Sequence, residues 1–121
     1  FRNLHNWLGP QLDTIFTNSY KALKPGGIFG VVEHRANPGT SLELMKKSGY
    51  VTVDHAMKMA KKHGFEFVSS SEVNSNPKDI KNYPKGVWTL PPNLRMKEVD
   101  RAKYIEIGES DRMTLLFRKP L

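Results

Sequence analysis

Glu33 and His34 stand side by side at the end of a short apolar run, Ile28-Phe29-Gly30-Val31-Val32, and a carboxylate next to an imidazole is a pairing suited to proton transfer near neutral pH. Read as a strand, the run places the pair at its carboxyl end, where open α/β sheets hold their ligands. A structural reading stands beside it, with Glu33 accepting backbone hydrogen bonds and His34 lying against a neighbouring helix. Arg35 follows directly and joins the candidates for substrate binding. Arg112 could clamp an anionic substrate bidentately or pair with its neighbour Asp111 as a structural salt bridge. Asn74 and Asn76 could shape a lid over a site or form side-chain turns around Pro77. Trp88, like Trp7, is a packing anchor or a surface on which a planar substrate stacks. His5 and His34 are common ligand types, but no carboxylate shares a ligand spacing with them, so no metal site is expected.

Those residues need elements to hold them. From Pro10 to Leu23 the apolar side chains Leu12, Ile15, Phe16, Tyr20 and Leu23 recur at steps of three and four, one stripe of an amphipathic helix. Pro10 suits its first turn, and Pro25-Gly26-Gly27 ends it. Ile28 to Glu33 is nearly continuous in apolar and β-branched residues, which predicts a parallel, interior strand covered on both faces. Residues 35–50 read as a loop with a short helical turn at Leu42 to Lys47. A second helix is predicted over Thr52 to His63, ended by Gly64, with His55 and His63 on its surface. Phe65 to Val73 reads as another strand. Asn74 to Gly108 is a long loop, of the length that usually carries function, and Met113 to Lys119 is a last strand stopped by Pro120.

The composition narrows the function classes. A chain of 121 residues is one domain's length, with 38% hydrophobic and 26% charged residues, ordinary for a globular protein. No apolar run approaches the roughly 20 residues that cross a bilayer, so no membrane partner is expected. Without Cys there are no disulfides, thiolate nucleophiles or cysteine-bound metals. The formal charge of +7 is spread rather than clustered, with runs no longer than Lys46-Lys47 and Lys61-Lys62, so nucleic acid is not the expected partner.

The helix, Leu23-Lys24-Pro25-Gly26-Gly27 turn and following strand resemble the C-terminal half of a class I S-adenosylmethionine-dependent methyltransferase. In that family such a turn leads into the fifth strand, and a helix ending in Gly-Phe, here Gly64-Phe65, leads into a sixth strand that pairs with an antiparallel seventh. A narrower resemblance, to a group of uncharacterised bacterial predicted methyltransferases, rests on Arg2-Asn3-Leu4-His5-Asn6-Trp7, Val32-Glu33-His34-Arg35-Ala36, Asn74-Ser75-Asn76-Pro77-Lys78-Asp79, Gly86-Val87-Trp88-Thr89-Leu90-Pro91-Pro92 and Gly108-Glu109-Ser110-Asp111-Arg112-Met113.

The resemblance implies an α/β chain that is a single partial domain over residues 1–121: the C-terminal part of a Rossmann-like sheet, in the order helix, strand, helix, strand, long loop, antiparallel strand. The N-terminal cofactor-binding half is expected to be missing, because the chain opens at Phe1 and no glycine-rich nucleotide loop precedes the first helix. S-adenosylmethionine would then serve the full-length protein, and this chain alone would neither bind it nor turn over. His5, after the family's fourth strand, would face the same crevice as Glu33 and His34, giving three catalytic candidates. The acceptor would be a small molecule. An open sheet edge would favour a homo-oligomer, and cytoplasm is the default location, with export left open. Two rivals remain: a non-enzymatic basic module for nucleic acid or an acidic partner, and a complete small enzyme using Glu33 and His34.

Overall fold

The computed structural model describes residues 4–121; Arg2 and Asn3 of the first motif lie outside them. Pro10 occupies the first turn of helix α1 (Pro10–Ala22), where its lack of an N–H costs nothing. Leu12 and Phe16 form the buried part of the predicted stripe. The chain then turns through Gly26, at φ 83°, into strand β1 (Ile28–His34). Gly26 N donates to Lys119 O and Lys119 N to Gly27 O, both at 2.8 Å, which ties the turn to the far end of the sheet.

Helix α2 (Leu42–Ser48) is capped by the Ser41 hydroxyl and ends at Gly49, at φ 77°. Helix α3 (Val53–Lys62) is capped by Thr52, whose hydroxyl accepts from His55 N at 3.1 Å. Strand β2 (Glu66–Ser71) begins one residue later than the sequence suggests, because Phe65 is drawn into the core. The stretch predicted as a long loop contains a 3₁₀ turn at Gly86–Thr89 and helix α4 (Arg101–Ile107). Only Tyr104 of α4 is buried, so the helix carries no apolar stripe by which to read it. Strand β3 (Arg112–Arg118) closes the order.

The three strands form an antiparallel sheet in the order β1-β3-β2. This corrects one expectation: β1 is neither parallel to a neighbour nor interior. It pairs with β3 from Ile28↔Arg118 to His34↔Arg112, and among the described residues its other edge has no partner strand. Its burial also alternates, with Val31 and Glu33 buried while Ile28 is 63% exposed. An apolar run does not reveal whether one face or both are covered. Here α1 and α3 cover one face only, and Val32, Thr114 and Leu116 border an open groove on the other.

The core lies between that covered face and the two helices. Phe16, Phe29 and Phe65 meet there, with the Phe29 and Phe65 rings stacked at 5.0 Å and Phe16 edge-on to Phe29 at 5.6 Å. Burying a ring of this size contributes roughly 1.5–3 kcal/mol. His63 is part of the same packing, not a surface residue: its ring stacks on Phe16 at 5.8 Å and its Nε2 lies 2.9 Å from Asp13. His55 is also partly buried. No helix among the described residues is long and apolar enough to cross a membrane.

One contact fixes the loops relative to α2. Gly86 has φ 60°, and a Cβ added there would lie 2.4 Å from the Ser48 carbonyl oxygen. Backbone cannot yield as a flexible side chain can, so the substitution Gly86→Ala is expected to cost roughly 2–4 kcal/mol through overpacking and φ strain together. Urea denaturation checks it; an unchanged midpoint would mean that the 3₁₀ turn does not need to sit against α2.

Candidate functional site

Separated from α1 by Leu8 and Gly9, the short 3₁₀ turn Leu4–Trp7 is anchored by Leu4 in the core, which brings His5 over the end of β1. There Glu33, pointing to the covered face, has no exposed surface at all. A carboxylate buried so deeply must be hydrogen-bonded, and Glu33 accepts from three N–H groups. His5 Nδ1 lies 2.7 Å from Oε1, His5 N 3.2 Å from Oε2 and His34 N 3.0 Å from Oε1. A carboxylate only accepts, so His5 Nδ1 carries the proton and Nε2 the lone pair. The pair is an imidazole oriented by a carboxylate.

His34 leaves the strand on the opposite side from Glu33, and its Nδ1 lies 2.5 Å from Ser110 Oγ. The His5 and His34 ring centroids are 5.3 Å apart, and His5 meets Trp88 edge-on at 5.8 Å. These side chains form the floor and one side of a cavity of about 420 Å³, which Pro91, Pro92, Asn93 and Glu109 complete. Among the described residues, no Lys or Arg lines it. His5, Glu33 and His34 each bring a donor atom within 4.8 Å of the others. Chain folding thus supplies, in Glu33, the carboxylate that linear spacing did not place with the two histidines.

The structure therefore brings His5, Glu33, His34 and Trp88 together, but not the other sequence candidates. Arg35 turns away and builds a wall: its Nε and Nη2 donate to Asp111 at 2.9 and 2.8 Å, and Nη2 also reaches Glu72 and Ser75 at 2.9 and 2.7 Å. Asn74 donates to Thr114 Oγ1 at 2.8 Å, and its carbonyl accepts from Arg112 N. Asn76 donates to the Ile107 and Glu109 carbonyls, both at 2.7 Å, which holds the end of α4 rather than a ligand. Arg112 lies across the ladder from His34, outside the cavity lining, and Asp111 pairs with Arg35 and Lys81 rather than with Arg112.

Behind Ser110 these polar groups form one network. Asp79, itself buried, accepts from the Tyr50 hydroxyl at 3.0 and 2.9 Å and from Asp111 N at 2.9 Å. Burial first, and the facing Asp79 second, hold the Tyr50 hydroxyl protonated far above the ordinary tyrosine range. Burial works to raise the Asp111 carboxyl, but Arg35, Lys81 and the Asn76 N–H outweigh it and keep the group well below the usual carboxylate range.

Sequence reasoning missed Asn6, Pro91, Pro92, Asn93, Glu109 and Ser110 as cavity residues. A signal was present, because all but Asn93 fall within the coincident motifs of the family resemblance. Those motifs are distant in sequence and meet at this cavity.

No protein-family model matches the chain, and no curated protein matches it. Solved structures do. The [4+2]-cyclase SpnF superposes with a TM-score of 0.58 at 18% identity, over 90% of this chain and 45% of that one. Phosphoethanolamine N-methyltransferase 2 of Haemonchus contortus, solved with S-adenosyl-L-methionine, gives 0.57 at 18% identity, over 99% and 32%. An S-adenosylmethionine-dependent methyltransferase from Mesorhizobium loti gives 0.51 at 14% identity, over 98% and 58%. The chain thus has a methyltransferase-like α/β fold and spans between about a third and three fifths of the length of these proteins.

The wall behind the cavity has a pH signature. Since Asp111 is depressed on folding, its contribution is fully present above the unfolded value of about 3.9 and is lost as pH falls below it. The substitution Asp111→Asn is expected to cost about 1–3 kcal/mol at neutral pH, by leaving Arg35 and Lys81 without their carboxylate, and to flatten the acid limb of stability. Denaturation followed from pH 7 to pH 2 measures both; parallel curves for the two proteins would remove Asp111 as the acid-sensitive group.

Proposed function

We propose that this chain is the C-terminal, acceptor-side part of a class I S-adenosylmethionine-dependent methyltransferase that acts on a small molecule. The observation that carries the reading is the His5–Glu33 pair at the foot of a polar cavity, beside the carboxyl end of β1. Support comes from the fold of the neighbouring structures and from the convergence of the family motifs on that cavity.

The described residues do not build the nucleotide cradle that the resemblance describes. Gly26-Gly27 closes α1 and enters β1, and Gly26 N is bonded to Lys119 O; a nucleotide loop instead follows a strand and opens a helix. On this reading the chemistry that the chain supplies is chemistry toward the acceptor. His5, held by Glu33 through Nδ1, presents the lone pair of Nε2 and takes the proton from an acceptor hydroxyl or amine as its nucleophile forms. Trp88 and Pro91-Pro92 give the acceptor an apolar side to lie against and keep water from it, while the rings of His5 and His34 fix its polar end. Among the described residues the lining carries no cationic side chain, which favours a neutral or positively charged acceptor over a phosphate or carboxylate. The guanidinium of Arg35, a sequence candidate for substrate binding, is already held by Asp111 and Glu72.

The test is release of S-adenosylhomocysteine by the longest reading frame containing these residues, across a panel of hydroxyl- and amine-bearing small molecules. Turnover is expected, and the substitution His5→Ala should lower kcat by roughly 10²–10⁴. No turnover on any acceptor would sink the activity; turnover indifferent to His5 would sink the base.

The same reading expects the chain by itself to associate through the unpaired edge of β1 and its exposed Ile28. Light scattering coupled to size exclusion should give twice the monomer mass or more. A monomer that persists as concentration rises would refute this.

A further inference from the structure

We propose that His5, Glu33 and His34 form a binding site for a divalent transition-metal ion, of the kind that takes two imidazoles and one carboxylate. The proposal concerns the same residues as the methyltransferase reading but does not depend on methyl transfer. It rests on the donor set, on the contacts that orient each donor and on where the set opens.

The donors come from two separate elements, the 3₁₀ turn Leu4–Trp7 and the end of β1, yet their ligand atoms lie within 4.8 Å of one another. His5 Nδ1 and Glu33 Oε1 are 2.7 Å apart, and binding would part them to roughly 3.3–3.6 Å, the separation of tetrahedral neighbours that each stand about 2.0–2.2 Å from one ion. An ion would take the place of the proton these two atoms share. His34 completes the set when its ring moves inward, because neighbouring ligands around one ion stand closer together than the present limit of separation.

Each donor is oriented by a further contact, as metal ligands are. Glu33 is fixed by the backbone N–H groups of His5 and His34 as well as by complete burial. The ring of His34 is held by the buried Ser110 through Nδ1. His5 and His34 both face the cavity of about 420 Å³, so an ion there would keep positions open for water or an acceptor oxygen. Two imidazoles favour zinc, cobalt, nickel or copper over magnesium and calcium, which prefer oxygen donors throughout.

Metal-free and metal-loaded sites are different uses of His5. Without an ion, the proton sits on Nδ1 and Nε2 can accept one; with an ion on Nδ1, the neutral ring carries its proton on Nε2 and is no longer a base.

Titration of the protein with Co²⁺ and Zn²⁺ alone, without cofactor or acceptor, tests the site. Calorimetry is expected to show one saturable ion per chain at micromolar concentration, and Co²⁺ to develop visible absorption bands that Zn²⁺ bleaches. The substitutions His5→Ala and His34→Ala should each weaken binding at least tenfold, while His55→Ala, away from the cluster, should leave it unchanged. Circular dichroism establishes that each variant is folded. Should either histidine variant lose its fold, histidine ring shifts in the NMR spectrum of the unsubstituted protein replace it: His5 and His34 must move on adding Zn²⁺. Binding no tighter than millimolar, binding indifferent to both substitutions, or ring shifts confined to His55 and His63 would overturn the proposal. None of these outcomes depends on turnover, so the metal site and the methyltransferase reading can fail separately.

Discussion

Glu33 is the residue on which the site depends. An ionisable group without exposed surface, on the inward face of a strand, would cost several kcal/mol if it stood alone. The three N–H groups that it accepts from offset that cost, and two of them belong to His5, nearly thirty residues earlier. The carboxylate therefore acts as a staple. It ties the 3₁₀ turn at Leu4–Trp7 to the end of β1, and in doing so fixes both the position and the tautomer of the imidazole above it. An apolar residue of similar size would pack against the same helices without holding the turn, so the requirement at this position is chemical as well as steric.

A second set of buried polar groups solves a different problem, holding loops rather than strands. Residues 74–79 and 108–112 lack an apolar face with which to join the core, and they are joined instead through Asp79 and Asp111. Asp79 gathers the Tyr50 hydroxyl and the backbone of Lys81 and Asp111. Asp111 gathers Arg35, Lys81 and the backbone of Asn76. Networks of this kind hold only when nearly every member is satisfied, because one unpaired charge inside costs more than a single hydrogen bond returns. That is why Arg35, Asn74 and Asn76, which look in the sequence like groups waiting for a ligand, are already occupied with one another's loops.

How much could be read from the chain follows from this division. Helix α1, the Gly26-Gly27 turn, α3 and the positions of the three strands were legible, because each has an apolar period or a stop signal of its own. The pairing of β1 was not, since an unbroken apolar run has the same appearance in a parallel interior strand and in an antiparallel one covered on a single face. Helix α4 was hidden because one buried Tyr makes no stripe. For the site, Glu33 and His34 were found by their place at a strand end and His5 through the family resemblance. The ion-pair partners of Arg35 and Asp111 were beyond reach, because charge pairs between segments thirty or more residues apart leave no local pattern.

The cavity is thus assembled from two kinds of structure with different tolerance to change. Its floor is set by the ladder between β1 and β3 and by the Glu33 staple, where a shift of an ångström would break several hydrogen bonds at once. Its outer wall, residues 86–93, rests on the close approach of Gly86 to Ser48 and of Gly49 to Val87 and Trp88, and on the stacking of Arg95 over the Trp88 ring at 5.1 Å. Loops accept substitution more readily than the elements that they join. On the proposed reading, the proton chemistry at His5 stays constant while the wall changes, and the choice of what enters belongs to Trp88, Pro91, Pro92 and Asn93. Exchanging that wall would then change the acceptor, whereas exchanging Glu33 would remove the carboxylate that holds the 3₁₀ turn.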